Sequence, residues 1–432
     1  MKKILFIASL LCSVFAKAQR PNIIYIMSDD MGYADLSCYG QKAYSTPHLD
    51  SLAAQGMKFT NAYAAAALCT PTRTAFFTGR YPQRTPVGLM EPLIPRRRDS
   101  AYGLTAQYPS VASLLQTAGY QTALIGKWHL GWLPENSPTK NGFNYFFGFH
   151  SGAADYIAHK NDVRHYDLYE MDSLVYRKGY LTELFTQQAT AFLQQAHTKP
   201  FFLVLTYNAP HWPWQAPGDK PYADTADYRK GGSPATYAAM MKSLDDGIDV
   251  VLKTLDQQGL AKNTLIIFTN DNGGEIPYSN NAPYAGSKNT LHEGGIKVPA
   301  FVRWPGKIKA GSSAAQPVIT MDWTATILAA AAVPPPANFP LDGINLLPLL
   351  TGKQKEIPRT FYWRAANQRA HQQAIREGQW KYLKDEQGEY LFDLSADEQE
   401  KKDIKEQHPA IFKKLQQQWI AWNNKMLAPV PL

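Results

Sequence analysis

Six short polar blocks in this chain carry side chains able to do chemistry: Asp29-Asp30, Cys69 with Arg73, Lys127 with His129, His211, Asp271-Asn272 and Lys288. Asp29, Asp30, Asp271 and Asn272 offer only oxygen ligands. Hard cations such as Ca²⁺ or Mg²⁺ favour that set, whereas zinc favours nitrogen and sulfur. One pair of adjacent acids is more often a helix cap or a solvated turn. Two such blocks, each ending an apolar run, point to a metal. Arg73, Lys127 and Lys288 are cations that could neutralise a tetrahedral oxyanion and its transition state. His129 and His211 could hydrogen-bond a substrate or exchange protons. Cys69 opens C-x-P-x-R at 69–73 in an Ala-rich segment, where a lone cysteine is commonly a small buried residue.

The elements that must position these groups are strands. Asp29-Asp30 follows NIIYIMS, Lys127 and His129 follow TALIG, His211 follows FFLVLTYNAP and Asp271-Asn272 follows TLIIFTN. Helical patterns alternate with them: Thr46-Pro47 to Gly56, 111–118, 181–195 and 236–258. The alternation predicts an α/β fold with a large, mostly parallel sheet between helices. In such a sheet ligands bind beyond the carboxyl ends of the strands, so the four blocks are expected to converge. After Pro334-Pro335-Pro336, short runs at 360–364, 373–376, 380–383 and 389–394 predict a small antiparallel sheet. The tail at 408–424 predicts a helix with Ile411, Leu415, Trp419 and Trp422 on one face.

Taken together and in order, the blocks resemble the type I, formylglycine-dependent sulfatases. Ala67–Gly79 (ALCTPTRTAFFTG) is similar to the family's C-x-P-x-R signature, and Gly119–His129 (GYQTALIGKWH) to its second signature, ending in G-K-x-H. PNIIYIMSDDMGYADLSCYG, N-A-P-H at 208–211, D-N-G-G at 271–274 and Gly286-Ser287-Lys288 are similar to further family blocks. The resemblance spans essentially the whole mature chain and implies an alkaline-phosphatase-like sandwich. It implies that Cys69 is oxidised to formylglycine by a maturase before folding. It implies one Ca²⁺ held by Asp29, Asp30, Asp271, Asn272 and the modified Cys69. Arg73 and Lys127 would hold the formylglycine and polarise the sulfate, and Lys288 would contact its oxygens. His129 would help remove the hydroxyl proton, His211 would contact sulfate and assist the leaving alcohol, and Ser151 would orient groups around the aldehyde hydrate. Thr72 stands where serine is more usual.

The segments 166–195 and 208–217 look most like arylsulfatase B-type, carbohydrate-acting members, which implies a sulfated galactose or N-acetylgalactosamine substrate. Arg96–Arg98, the Ser151–Lys160 loop with His150, Asp155 and His159, and Trp212 with Trp214 are candidates for reading the sugar. Trp212 and Trp214 read equally as packing residues. The rivals are a phosphoester or phosphonate hydrolase of the same superfamily and a non-catalytic glycan-binding relative.

Composition sets the outer bounds. The 432 residues, with 24 Tyr and 10 Trp, suit a folded enzyme. Lys2 and Lys3, an apolar run from Ile4 to Phe15 and Ala16-Lys17-Ala18 read as a secretory signal over residues 1–18, hence a periplasmic enzyme. The expected division beyond it is a catalytic α/β domain over 19–358 and a small α+β subdomain over 359–432. Removing the signal leaves Cys38 and Cys69, too few for a disulfide framework. The net charge of +8 favours anionic partners. With no helix-turn-helix or zinc-finger spacing, nucleic acid is not expected. No later segment reads as membrane-spanning.

Overall fold

The computed structural model describes residues 20–95, 101–367 and 370–430. The signal segment 1–18 and Arg96–Arg98 therefore lie outside the described residues. In chain order the strands are β1 (Asn22–Ser28), β2 (Met57–Phe59), β3 (Ala62–Tyr63), β4 (Gln121–Lys127), β5 (Tyr145–Phe149), β6 (Tyr169–Glu170), β7 (Ser173–Leu174), β8 (Phe201–Thr206), β9 (Thr264–Asn270), β10 (Ala300–Arg303), β11 (Ser312–Ala314), β12 (Val318–Ile319), β13 (Thr360–Asn367), β14 (Ala370–Glu377), β15 (Trp380–Lys384) and β16 (Glu389–Asp393). The helices are α1 (Pro47–Ala54), α2 (Cys69–Thr78), α3 (Val111–Thr117), α4 (Leu181–Leu193), α5 (Pro234–Gln257), α6 (Glu293–Ile296), α7 (Thr320–Ala330), α8 (Leu347–Leu350) and α9 (Pro409–Asn423).

Ten strands form one sheet in the order β11-β2-β10-β9-β1-β8-β4-β5-β6-β7. Its centre, β9-β1-β8-β4-β5, is parallel throughout. Every residue of β1, β8 and β9 is buried, as a sheet covered on both faces requires. Alternation sorts their side chains between two cores. Ile24, Ile26, Leu203 and Leu205 pack with Leu49 of α1, Phe185 of α4 and Met240 of α5. Ile23, Tyr25, Phe202 and Val204 pack on the other face with Phe76 of α2, Leu115 of α3 and Trp323 of α7. The expected sandwich is thus present.

A second sheet, β13-β14-β15-β16, is antiparallel, and α9 packs on it through Leu415, Trp419 and Trp422. The same apolar cluster includes Tyr63, Ala75, Ile296 and Met321 from the larger part, so the two parts share a core. A polar clamp reinforces the junction. Buried Lys381 of β15 bonds Glu293 of α6 (2.9 Å) and Glu400 (2.7 Å).

The sequence reading assigned no helix at 69–78 or 320–330 and no strand at 145–149, where the structure has α2, α7 and β5. All three are almost wholly buried, polar residues such as Arg73 and Asp322 included, so no exposed polar face sets up an amphipathic period.

Candidate active site

The four polar blocks occupy the carboxyl ends of β9, β1, β8 and β4, which are neighbours in the sheet. Ser28 pairs with Asn270 at the last step of the β1–β9 register, so Asp29-Asp30 and Asp271-Asn272 leave the sheet side by side. Asn270 ties the two turns together. Its Oδ1 accepts from Ser28 Oγ (2.8 Å) and Met31 N (3.3 Å), and its Nδ2 donates to Met31 O (2.8 Å). Asp30 sits at φ 62°, a left-handed conformation that aspartate tolerates better than most residues. At the end of β4, Gly126 has φ 116°, and a Cβ there would lie 1.9 Å from Thr206 O. Only glycine lets β4 approach β8 so closely beside Lys127.

Cys69 is the first residue of α2, which ends at Gly79 in a left-handed cap. Its Sγ lies 3.4 Å from Asp29 Oδ1 and 3.9 Å from Asp30 Oδ1. Arg73, one turn on, sends Nε and Nη2 to Asp271 Oδ2 (3.2 and 3.0 Å) and Nη1 to Lys127 O (3.1 Å). Lys127 Nζ bonds Asp29 Oδ2 at 2.6 Å. Lys288 Nζ bonds Asp30 Oδ2 at 2.5 Å and Glu275 Oε2 at 2.9 Å, with His211 Nε2 at 3.4 Å. Three buried acids thus meet three buried cations, the pairing that burial of charge demands.

Burial and the neighbouring Asp271 carboxylate push the Asp29 carboxyl up to about 8, while Arg73 and Lys127 hold Asp271 at about 2 against its own burial. Burial, followed by Asp271, pushes the Cys69 thiol well above its usual range. A thiol so placed is a poor thiolate nucleophile. Burial first, then Lys127 at His129 and Lys288 at His211, drive both histidines well below their usual range, so both are neutral near pH 7. His129 Nε2 faces the Leu93 carbonyl at 2.8 Å and carries the hydrogen. Its buried Nδ1, without a partner, keeps a lone pair. His211 Nδ1 faces the Trp212 carbonyl, which leaves Nε2 as an acceptor toward Lys288.

The donors fit a hard cation. Single ligand atoms of Asp29, Asp30, Cys69 and His211 lie within 4.8 Å of one another. Asn272 donates from Nδ2 to Asp30 Oδ1 (2.7 Å), while its buried Oδ1 has no hydrogen-bond partner. The Asp29 and Asp30 carboxylates in this group, with the unpartnered Asn272 Oδ1 beside Asp30, are oxygen donors of the kind calcium or magnesium takes.

A cleft of about 240 Å³ opens above this cluster, with Cys69, His129, His211 and Lys288 in its lining. Trp212 and Glu275 form part of one wall, and Trp212 Nε1 bonds Glu275 Oε2 at 2.9 Å. The lining also takes in Glu91, Ile94, Ala366 and Asn367, so the small sheet contributes to the cleft. Glu91 Oε2 accepts from Ala366 N (2.8 Å) and Asn367 Nδ2 (3.2 Å).

Other candidates fall elsewhere. Ser151 Oγ accepts from Asn161 Nδ2 (3.2 Å), and Ser151 N donates to Asp167 Oδ2 (2.9 Å). His150, Asp155 and His159 are spent on the main chain at Gly131 O, at Ile157 and Ala158 N, and at Gly179 O. Trp214 is buried against Tyr278. Cys38 and Cys69 are both free thiols. The sequence reading missed Glu275, Glu91 and Asn270. Glu275 lay within reach, directly after D-N-G-G. Glu91 had no local signal.

Among the described residues no helix is long and apolar enough to cross a membrane. The sulfatase family model matches residues 21–333, and the model described as N-sulphoglucosamine sulphohydrolase, C-terminal, matches 286–425. The chain is 35% identical over 370 residues to N-acetylgalactosamine-6-sulfatase from Homo sapiens, covering 80% of this chain and 69% of the relative. Steryl-sulfatase from Homo sapiens is 31% identical over 441 residues, covering 83% and 74%. The solved structure of Ps i-CgsB in complex with k-i-k-neocarrahexaose superposes with a TM-score of 0.86 at 31% identity, covering 95% of this chain and 94% of that one. By family match, relatives and fold alike, the chain belongs to the sulfatases, as a type I sulfuric ester hydrolase of the arylsulfatase-like kind on the alkaline-phosphatase-like fold.

Proposed function

We propose that this enzyme hydrolyses sulfate esters on a saccharide of galactose or N-acetylgalactosamine type, with residue 69 as formylglycine and a calcium ion at the strand ends. The main support is the meeting of Asp29, Asp30 and Cys69 Sγ within 4 Å in a buried cluster that Arg73, Lys127 and Lys288 neutralise. The human relative named for N-acetylgalactosamine and the neighbour bound to a hexaose favour a sugar substrate. We take residues 19–358 as the catalytic domain and 359–432 as the small subdomain, and the signal at 1–18 as export to the periplasm.

Calcium, bound through Asp29, Asp30, Asp271, Asn272 and residue 69, would supply Lewis acidity toward a sulfate oxygen. Formylglycine, as its hydrate, would supply one oxygen to attack sulfur and a second to expel sulfate. Cys69 is 2% exposed, so a maturase must reach it before the chain folds. Arg73 and Lys127 fix residue 69 and, with Lys288, place positive charge where the transition state gathers negative charge. Lys288 and His211 Nε2 share a proton-bearing contact at the cleft floor and serve the departing alcohol. The free lone pair of His129 Nδ1 takes the hydroxyl proton that must leave for sulfate to be released. Ser151 acts through Asn161, whose Nδ2 donates to its Oγ.

The test is a panel of defined sulfated and phosphorylated saccharides. Desulfation of a galacto-configured sugar, with weak turnover of simple aryl sulfates, is expected. Preference for phosphate monoesters would overturn the reading, and preference for a glucosamine sulfate would overturn only the substrate.

A further inference from the structure

Outward from the cleft, the surface changes character. Of the nine large hydrophobic side chains exposed among the described residues, five lie within residues 163–176: Val163, Tyr166, Met171, Leu174 and Tyr176. Tyr166 is 46% and Tyr176 66% exposed, with ring centroids 4.9 Å apart in an edge-on pair. Exposed apolar side chains are ordinary when scattered, but five on one short segment, two of them with their rings in contact, suit a binding surface.

This group is joined to the cleft by a short hairpin. Lys160 pairs with Tyr166 in an antiparallel bridge, and Asn161 and Arg164 close the turn. Asp162, in that turn, lines the cleft mouth. Tyr166 is four residues from Asp162 across a tight turn, which keeps it within about 13 Å of the mouth at the extended rise per residue.

Cations stand beside three rings of this region, of which Tyr166 is exposed and Trp212 and Tyr228 are buried. At the mouth, the exposed Arg229 lies 5.2 Å from the Trp212 ring centroid. Next, Arg164 lies 3.7 Å from that of Tyr228, anchored by Asp224 O and Ala226 O. In the hairpin itself, Lys160 Nζ is 5.4 Å from the Tyr166 ring centroid and is paired with Asp224 at 2.9 Å. The exposed rings of Tyr166 and Tyr176 suit the apolar C–H face of a sugar ring, and the exposed Arg229 suits a sulfate on it.

We infer that the Lys160–Tyr166 hairpin, Tyr176 and Arg229 form a track for further units of the sulfated saccharide, beyond the one whose ester lies over Cys69. The inference rests on the sulfatase reading and adds that the enzyme recognises a chain of several sugars.

The experiment compares the native enzyme with a Tyr166→Ala, Tyr176→Ala double variant. The probes are chondroitin 4-sulfate, chondroitin 6-sulfate and carrageenan hexasaccharides, each beside its sulfated monosaccharide. Calorimetry on Cys69→Ala protein reads affinity whether or not an ester is cleaved. Steady-state kinetics on matured enzyme reads KM and kcat. The track predicts that a hexasaccharide binds at least tenfold more tightly than its monosaccharide. It also predicts that the double variant loses roughly tenfold in hexasaccharide affinity and KM, with the monosaccharide and kcat unchanged. Four results would overturn it: equal affinity for the long and short probes, no binding of any hexasaccharide, a double variant with native hexasaccharide affinity, or one whose only change is lost self-association. Loss of turnover on all sugars with hexasaccharide binding intact would instead count against the proposed reaction.

Discussion

Arg73 and Asp271 meet through two hydrogen bonds, Nε and Nη2 to Oδ2 at 3.2 and 3.0 Å, fully buried between the first turns of α2 and the end of β9. The fork fixes the helix bearing Cys69 against the strand end bearing Asp271. A lysine keeps the charge but cannot reproduce the two-pronged geometry or the contact to Lys127 O. Arg73→Lys is expected to lower kcat/KM by about a hundredfold or more while the protein still folds. Native kcat/KM for this variant would remove Arg73 from the machinery.

Calcium should be separable from the fold. Exhaustive chelation is expected to abolish turnover and lower the melting temperature, because an ion bound only by the native state stabilises it. Calcium should restore both, magnesium less well, and zinc neither. Two zinc ions and no calcium by elemental analysis would refute the assigned ligand set.

The Glu293–Lys381 contact should govern acid stability. Burial alone would raise the Glu293 carboxyl, but Lys381, Lys297 and Arg376 hold it at about 2. A depressed folded value stabilises the protein above the unfolded pKa near 4.5, and this is lost as pH falls toward 2. Glu293→Gln leaves the buried Lys381 partly unpaired and is expected to cost about 3–5 kcal/mol at neutral pH. Urea midpoints at pH 7 and pH 3.5 measure it. An equal deficit at both pH values would contradict the assignment, because the deficit must shrink in acid.

Glu91 has the opposite sign. Burial pushes its carboxyl up to about 7, despite the hydrogen bonds from Ala366 and Asn367. The folded protein then holds this proton more tightly than the unfolded chain, so the Glu91 contribution to stability falls as pH rises from about 4.5 to 7. The melting temperature of Glu91→Gln relative to the native protein should therefore rise between pH 5 and pH 8. A constant or falling difference would show that Glu91 is ionised throughout.

The legible part of this molecule lay in contiguous sequence. NIIYIMS, FFLVLT and TLIIFT are apolar throughout because both faces of their sheet are covered, and the polar residues that end them fix where the cleft opens. The antiparallel runs after Pro358 and the amphipathic tail were equally plain. What stayed hidden depends on contacts between distant segments. Glu275 is an ordinary surface acid until Lys288 and Trp212 fold onto it. Glu91 gains its place only from the edge of β13, 275 residues away along the chain. His150, Asp155 and His159 look chemically apt beside Ser151, yet main-chain partners that no local pattern reveals occupy them. Helix α2 is buried on every side, so no contrast of exposed and covered faces announced its role in presenting Cys69.

The central claim is that residue 69 acts as formylglycine, and peptide mass spectrometry of active enzyme tests it most directly. The protein is produced with a formylglycine-generating maturase, assayed on a sulfated saccharide and digested, and the peptide ending at Arg73 is weighed. The expected result is a peptide lighter than the cysteine form by the difference between a thiol-bearing methylene and an aldehyde, in a proportion that tracks specific activity, with Cys69→Ala folded and inactive. Full desulfating activity in protein whose Cys69 remains an unmodified thiol would contradict the account.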